Sequence, residues 1–214
     1  MTDKASKRGI TLIELLAVIV IIVVLMGLLP PPSIGLSVQA RKVMAKNDMT
    51  QAVNGIKAFY TEYGRYPIDP VKVSGSNVSA YGDSSLAGYL EDNSVVIDVL
   101  RNNTASPTHG ALVAMLNPRQ IVFLECPIVK NNASPRSGVH SVTGIWYDPY
   151  GTSYNLAIHP ARAGQISKAT HGYTDADFGV LKTGVIAWSY GKDKKAGTGG
   201  NHIYADSDDI VSWQ

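Results

Sequence analysis

The sequence predicts an α+β fold in which a long N-terminal α-helix packs on a small antiparallel β-sheet. Three observations support this class: an uncharged apolar run over Leu15–Leu29, an amphipathic pattern over Ile34–Tyr63, and short strand-like runs concentrated after residue 120. The chain has 214 residues, enough for one membrane-length helix and one modest globular domain.

The apolar run predicts a transmembrane helix over residues 10–32. About 20 apolar residues form a helix about 30 Å long, which matches the hydrocarbon core of a bilayer. Three basic residues lie within residues 1–9, so the positive-inside rule places this segment in the cytoplasm and the chain after Pro32 on the other side. Glu14 is the one acidic residue of the span and costs about 2.5–3.5 kcal/mol on insertion scales. We therefore expect Glu14 to have a partner.

The pattern over residues 33–67 predicts that this helix continues as an amphipathic helix. Pro30-Pro31-Pro32 removes three amide donors, which predicts a break or a sharp kink between the two helical segments. Gly64 is a natural C-cap. The apolar stripe recurs at spacings of three and four residues and consists of Ala45, Met49, Ala52, Val53, Ile56, Phe59, Tyr60 and Tyr63.

The remaining sequence predicts a segment of short helices and loops, followed by a sheet. Residues 68–143 are interpreted as a variable insertion, with short helices at Val95–Leu100 and Ala111–Leu116. Residues 144–214 are interpreted as the antiparallel sheet with a glycine-rich, acidic C-terminal loop. The strand-like runs are Ile121–Glu125, Gly144–Tyr147, Ser153–Ile158 and Gly184–Tyr190, and the turn Asp148–Tyr154 joins the second to the third.

Composition and motifs argue against several classes of function. Without residues 1–9 the formal charge falls from +2 to zero, so no general nucleic-acid-binding surface is predicted. The five histidines are scattered, and the sequence contains neither a P-loop nor a Gly-x-Ser-x-Gly motif, so an enzyme is not predicted. The single cysteine, Cys126, is expected to be a buried small hydrophobic residue.

The N-terminal order Gly9-Ile10-Thr11-Leu12-Ile13-Glu14 resembles that of type IV pilins and of the pseudopilins of type II secretion systems. In these families a prepilin peptidase cuts after the glycine, and the fifth residue of the mature chain is a glutamate. The resemblance implies processing between Gly9 and Ile10, N-methylation, and a role for Glu14 in filament assembly. The α-amino group of Ile10 in one chain would pair with Glu14 in the next chain. An uncleaved signal anchor with an incidental glutamate is the alternative.

Three further stretches are similar to major pseudopilins of type II secretion: Gly64–Pro67, the turn Asp148–Tyr154, and the ending Asp209–Trp213. The resemblance implies a pilin-like structural subunit without enzymatic activity. It implies self-assembly, with minor pseudopilins, an inner-membrane platform and its ATPase, the prepilin peptidase and membrane lipid as partners, and no nucleic acid. It also implies a single-pass inner-membrane protein with a periplasmic C-terminal domain in a Gram-negative-type bacterium.

Two other functions remain open. A type IV pilin or minor pilin of a surface filament, used for adhesion, motility or DNA uptake, would have the same N-terminus. The absence of a terminal disulfide pair and the C-terminal ending argue against it. A periplasmic enzyme or binding protein on a signal anchor is disfavoured by the position of Glu14.

In major pseudopilins the C-terminal glycine-rich loop binds calcium. The resemblance implies calcium ligands at Asp193 and Asp209, with Asp206 and Asp208 as nearby candidates. Calcium takes six to eight oxygen ligands and tolerates flexible loops. Lys194 stands where the family has glycine, and Lys195 adds a second cation, so a solvated acidic turn without a metal is the alternative.

Overall fold

The computed structural model describes residues 10–28, 34–73, 78–82, 88–160, 164–175 and 179–214. The chain divides into two compact units, Met1–Gln39 and Ala40–Gln214. The α+β class is confirmed, since the described residues form N-terminal helices and a sheet that is mostly antiparallel.

Helix α1 comprises Leu12–Leu28, and the side chains from Ile10 to Gly27 are exposed. Among the residues that the structure describes, none of the helices combines the length and the apolar character needed to cross a bilayer. The predicted kink at Pro30-Pro31-Pro32 lies outside the described residues.

Helix α2 comprises Ile34–Tyr63, as the periodicity predicts. The first six residues of the predicted stripe, from Ala45 to Phe59, are buried, and Tyr60 and Tyr63 pack partly buried against the same core. Gly64 ends the helix with φ +66°, a left-handed conformation that favours glycine, and its amide donates to the Tyr60 carbonyl at 2.8 Å.

The described residues after α2 form short strands: β1 Ser79–Gly82, β2 Glu91–Asp92, β3 Gly138–Val139, β4 Trp146–Tyr147, β5 Asn155–Ile158, β6 Ile166–Ser167, β7 Val180–Leu181, β8 Val185–Ser189 and β9 Ile210–Val211. Short α-helices accompany them: α3 Ser94–Leu100, α4 Gly110–Leu116 and α5 Lys168–His171. The main sheet has the order β2-β1-β5-β8-β9, with β1 and β2 parallel and every other pair antiparallel. The pairs β3-β4 and β6-β7 form two small separate sheets.

The strand predicted at Ile121–Glu125 is wrong. The amides of Phe123 and Leu124 both donate to the Leu100 carbonyl, at 2.8 and 3.2 Å, so this segment attaches to the end of α3 and not to a sheet. In contrast, the helices predicted at Val95–Leu100 and Ala111–Leu116 are present as α3 and α4. The segment interpreted as an insertion contributes β1 and β2 to the main sheet.

The predicted turn after β4 is present and is organised by the buried Asp148. Its Oδ1 accepts from the amides of Tyr150 and Thr152 at 2.8 and 2.9 Å, and its Oδ2 accepts from the Ser189 hydroxyl at 2.5 Å. Burial raises the pKa of Asp148, against the opposing effect of these hydrogen bonds. Because Ser189 is the last residue of β8, this turn fixes the point from which the C-terminal loop departs.

Candidate functional site

The first predicted site lies at the start of α1, where Thr11 and Glu14 bind each other. Glu14 Oε2 accepts from the Thr11 amide at 2.8 Å and from the Thr11 hydroxyl at 2.9 Å, and the Glu14 amide donates to Thr11 Oγ1 at 3.3 Å. This reciprocal arrangement is a capping box, which satisfies amide groups that the first helical turn leaves unpaired. Within a single chain, Glu14 therefore has local hydrogen-bond donors.

The capping box leaves the charge of Glu14 uncompensated by any cation in the described residues of this unit. Ile10 precedes the helix and is 78% exposed, while Gly9 lies outside the described residues. A carboxylate with hydrogen bonds but without a counter-charge at the edge of an apolar helix is available to an external cation such as an amine.

The second predicted site lies in the C-terminal loop between β8 and β9. Three of its four predicted residues come together: oxygen atoms of Asp193, Asp208 and Asp209 all lie within 4.8 Å of one another. Asp206 lies outside this group, with an exposed side chain and a backbone carbonyl that accepts from the Thr198 hydroxyl at 3.4 Å.

Asp209 is the buried member of the carboxylate group, with 4% of its surface exposed. Its Oδ2 accepts from the Tyr173 hydroxyl at 2.8 Å and from the Gly197 amide at 2.6 Å. Its Oδ1 is buried without a hydrogen-bond partner among the described residues. Burial, and to a smaller extent the neighbouring Asp208 and Asp193, raise the pKa of Asp209 to about 6, although the two hydrogen bonds oppose the shift.

Backbone amides hold the other two carboxylates in place. Asp193 accepts from the amides of Lys195 at 2.9 Å and of Gly199 at 2.8 Å, one with each oxygen. Asp208 Oδ2 accepts from the amide of Asp193 at 3.1 Å and from that of Lys192. These bonds wind the loop around its own acidic side chains, so the three carboxylates are oriented before any ligand arrives.

The two lysines beside the carboxylate group point into solvent. Lys194 and Lys195 are exposed, and neither forms an ion pair with a carboxylate among the described residues. Lys194 adopts φ +62°, the left-handed conformation in which a side chain is strained and glycine is not. The backbone at this position therefore suits the glycine found in major pseudopilins better than lysine.

Strand β9 connects the carboxylate group to α2. Its residues follow Asp209 directly and pair with the end of β8, Ile210 opposite Ser189 and Val211 opposite Trp188. The Lys46 ammonium group on α2 donates to the Val211 carbonyl at 2.7 Å and to the Gln214 carbonyl. The C-terminal segment is thus held between the sheet edge and the helix.

Three partners of these sites were absent from the sequence-based prediction. Thr11 was detectable, because Thr-x-x-Glu before an apolar run is the signature of a capping box. Tyr173 and Gly197, which bind Asp209, had no such signal, since Tyr173 lies 36 residues away and Gly197 is one of several glycines in its loop.

Comparison with known families gives one match, over residues 4–30, to a family described as the prokaryotic N-terminal methylation motif. No curated protein and no solved structure matches the chain. Proteins with this motif are structural subunits whose N-termini are anchored in bacterial membranes, processed by prepilin peptidase and assembled with other pilins. With the apolar helix α1 and the α+β fold, the motif at residues 4–30 supports a type IV pilin-like protein.

Proposed function

We propose that this protein is a pseudopilin, a structural subunit of the periplasmic pseudopilus of a type II secretion system. The observation that carries the proposal is the methylation motif at residues 4–30, with Glu14 as the fifth residue after Gly9. The Gly64–Pro67 stretch, the Asp148 turn and the Asp209–Trp213 ending, all similar to major pseudopilins, favour secretion over a surface pilus.

In this role the chain is a single-pass protein of the inner membrane with its C-terminal domain in the periplasm. Prepilin peptidase removes residues 1–9 and the new N-terminus at Ile10 is methylated. The subunits polymerise with further copies and with minor pseudopilins on an inner-membrane platform that an ATPase drives. The growing filament helps to export folded proteins, and the chain itself catalyses no reaction.

Assembly in this proposal depends on the charge of Glu14. In the monomer the Thr11 amide and hydroxyl both donate to its Oε2 but bring no positive charge. The α-amino group of Ile10 from a neighbouring subunit supplies that charge, and the neutral pair is less costly in the apolar surroundings than two separate ions.

The proposed subunit binds one calcium ion through Asp193, Asp208 and Asp209. One oxygen of each carboxylate lies within 4.8 Å of the others, and the buried Asp209 Oδ1 has no hydrogen-bond partner among the described residues. Carboxylate oxygens are the ligands that calcium prefers, and loop carbonyls and water complete its coordination. A bound divalent cation would offset the repulsion among three neighbouring carboxylates and fasten the loop to β9.

A strain that lacks the gene tests the proposed function. We expect folded proteins that are normally exported to accumulate in the periplasm, and export to return with the wild-type gene but not with Glu14→Gln. The glutamine keeps an oxygen for the Thr11 amide, so the capping box persists while the charge is lost. Thr11→Ser, which preserves both the cap and the charge, is the matched control and should restore export.

The same strain separates the proposal from its rival. Intact export together with the loss of a surface filament would identify a type IV pilin or minor pilin instead. Full export with Glu14→Gln would contradict the assembly role of the carboxylate.

A further inference from the structure

A groove at the C-terminal end of α2 is lined by residues other than Glu14 and the three carboxylates of the C-terminal loop. It consists of two adjoining cavities of about 600 and about 350 Å³ that share Tyr60, Gly64 and Tyr66, and we call it the tyrosine groove. Its volume falls in the range of clefts that hold small ligands or peptide side chains. All of its lining residues belong to the unit Ala40–Gln214.

Several contacts hold the floor of the tyrosine groove in place. Gly64 ends α2 in a left-handed conformation, and the ring centroids of Tyr60 and Tyr66 lie 4.6 Å apart. Arg65 donates through Nη2 to the carbonyls of Met115 and Leu116, at 3.0 and 3.1 Å, which fixes the groove against the end of α4. A preformed surface loses little conformational entropy when a ligand binds.

The larger cavity presents positive charge. Its charged lining residues are Lys57 and Lys182, both exposed, and among the residues that the structure describes no Asp or Glu lines it. Neither ammonium group has a hydrogen-bond or ion-pair partner within the described part of the chain. The nearby hydroxyls already donate within the wall, that of Thr61 to the Lys57 carbonyl at 3.0 Å and that of Thr183 to the Val185 carbonyl at 3.2 Å. The two unpaired ammonium groups therefore favour a ligand that supplies anionic acceptors.

The smaller cavity is mostly apolar, apart from Arg65, whose guanidinium is bound to α4. Ile68, Pro70, Val73 and Leu116 contribute to its lining. An apolar cavity next to a cationic one selects a ligand that carries both kinds of group close together. Burial of one bulky apolar side chain in this cavity should tighten binding by about tenfold or more.

We propose that the tyrosine groove is a docking site for a peptide segment of a partner protein in which carboxylates flank a bulky apolar side chain. The carboxylates bind Lys57 and Lys182, and the apolar side chain enters the smaller cavity. A single-stranded nucleic acid also suits aromatic rings and cations, but it requires a basic path along its backbone. This groove ends in an apolar cavity, and the chain without residues 1–9 is neutral, so the observations favour a peptide.

The test uses the full-length protein in detergent and a fluorescein-labelled peptide, Glu-Glu-Phe-Glu-Glu, in an anisotropy titration. We expect saturable binding that weakens at least tenfold with Lys57→Glu/Lys182→Glu, a loss of about 1.4 kcal/mol. The matched control Lys130→Glu/Arg136→Glu changes the net charge equally at exposed positions outside the groove, and it should stay within twofold of the wild type. Glu-Glu-Gly-Glu-Glu, which lacks the apolar side chain, should bind about tenfold more weakly.

A peptide of opposite charge tests whether the double variant is still folded. The Lys57→Glu/Lys182→Glu variant should bind Lys-Lys-Phe-Lys-Lys, which the wild type should not, and such a gain requires a folded groove. The proposal is overturned if the acidic peptide does not bind, if both double variants weaken binding equally, or if oligothymidylate binds the groove more tightly than the peptide. All of these outcomes are independent of whether the filament serves secretion or forms a surface pilus.

Discussion

Among single residues, Asp209 has the least satisfied environment of the C-terminal loop. It is buried, one of its oxygens has no partner among the described residues, and two other carboxylates lie beside it. The cost of this arrangement appears in its pKa, which burial raises to about 6. A carboxylate held in this way is destabilising without a cation and stabilising with one.

Calcium should therefore stabilise the protein. At a hundredfold excess over Kd, binding contributes about 2.7 kcal/mol, so the full-length protein in detergent should melt several degrees higher in calcium than in chelator. Asp193→Asn and Asp209→Asn should abolish this difference. The control Asp206→Asn, at an exposed position outside the carboxylate group, should retain it. Identical melting of the wild type in calcium and in chelator would show that the loop is an acidic turn without a metal.

Lys194 carries backbone strain that a single substitution can remove. A side chain in the left-handed region costs about 1–2 kcal/mol, while glycine loses about 0.5–1 kcal/mol more than other residues on folding. Lys194→Gly should thus increase the free energy of unfolding in chelator by about 0.5–1 kcal/mol, as measured by urea denaturation. Lys192→Gly, at an exposed position without positive φ, should decrease it by about the same amount. Equal changes in the free energy of unfolding of the two variants would contradict the strain assigned to Lys194.

At the scale of elements, the turn that begins at Asp148 joins β4 and β5 to β8. Tyr154, the last residue of this turn, joins the sheet to α2. The Tyr154 hydroxyl donates to Asp48 at 2.8 Å, and burial raises the pKa of Asp48 as it does that of Asp148. Asp48 thus lies at the interface between the helix and the sheet, and the charge of Asp148 contributes to raising its pKa, so protonation of these carboxylates should affect how stably the elements pack.

The stability of the domain should accordingly depend on pH through Asp148. Because its folded pKa lies above the unfolded value of about 3.9, the folded state binds the proton more tightly. The resulting stabilisation is complete below the unfolded pKa and is lost as the pH rises through the folded pKa. In chelator, we expect the free energy of unfolding to decrease with rising pH above about 4, and less steeply in Asp148→Asn. The asparagine keeps an acceptor for the amides of Tyr150 and Thr152; an unchanged slope would contradict the assignment to Asp148.

Elements with local signals could be predicted from the sequence, and elements that depend on distant partners could not. The stripe on α2, the stop at Gly64 and the turn at Asp148 follow from spacing and from residues with special backbone geometry. Strand β2 has two residues and pairs in parallel with β1, so it offers no periodicity. The run Ile121–Glu125 has strand-like composition, but the amides of Phe123 and Leu124 donate to the Leu100 carbonyl and do not pair with a strand.

The same division applies to the candidate sites. Gly9 and Glu14 lie close together in the chain, so the sequence pattern alone predicts both the processing site and the assembly residue. The carboxylate group forms only if Asp193 and Asp209 come together across the loop. Only the resemblance to major pseudopilins predicted that they would. The environment of Asp209 depends on Tyr173, which lies in a buried hydrophobic cluster together with Trp188 and Val211.

For the whole molecule, cleavage would change the N-terminus from a basic segment into a single amine beside an apolar helix. Residues 1–9 contain three basic residues, and the rest of the chain carries equal numbers of basic and acidic residues. After removal of this segment, the new amine of Ile10 and the carboxylate of Glu14 would be the charges at the start of α1. The assembly of the proposed subunit depends on this change.

The most direct test of the account is therefore the N-terminus of the protein extracted from its native membrane, determined by mass spectrometry. We predict a chain that begins at Ile10 and carries one methyl group on its α-amino nitrogen. A strain without prepilin peptidase should yield the chain with residues 1–9 still attached. An intact Met1 or Thr2 terminus in cells with an active peptidase would contradict the account, because Glu14 would then have no neighbouring amine to bind.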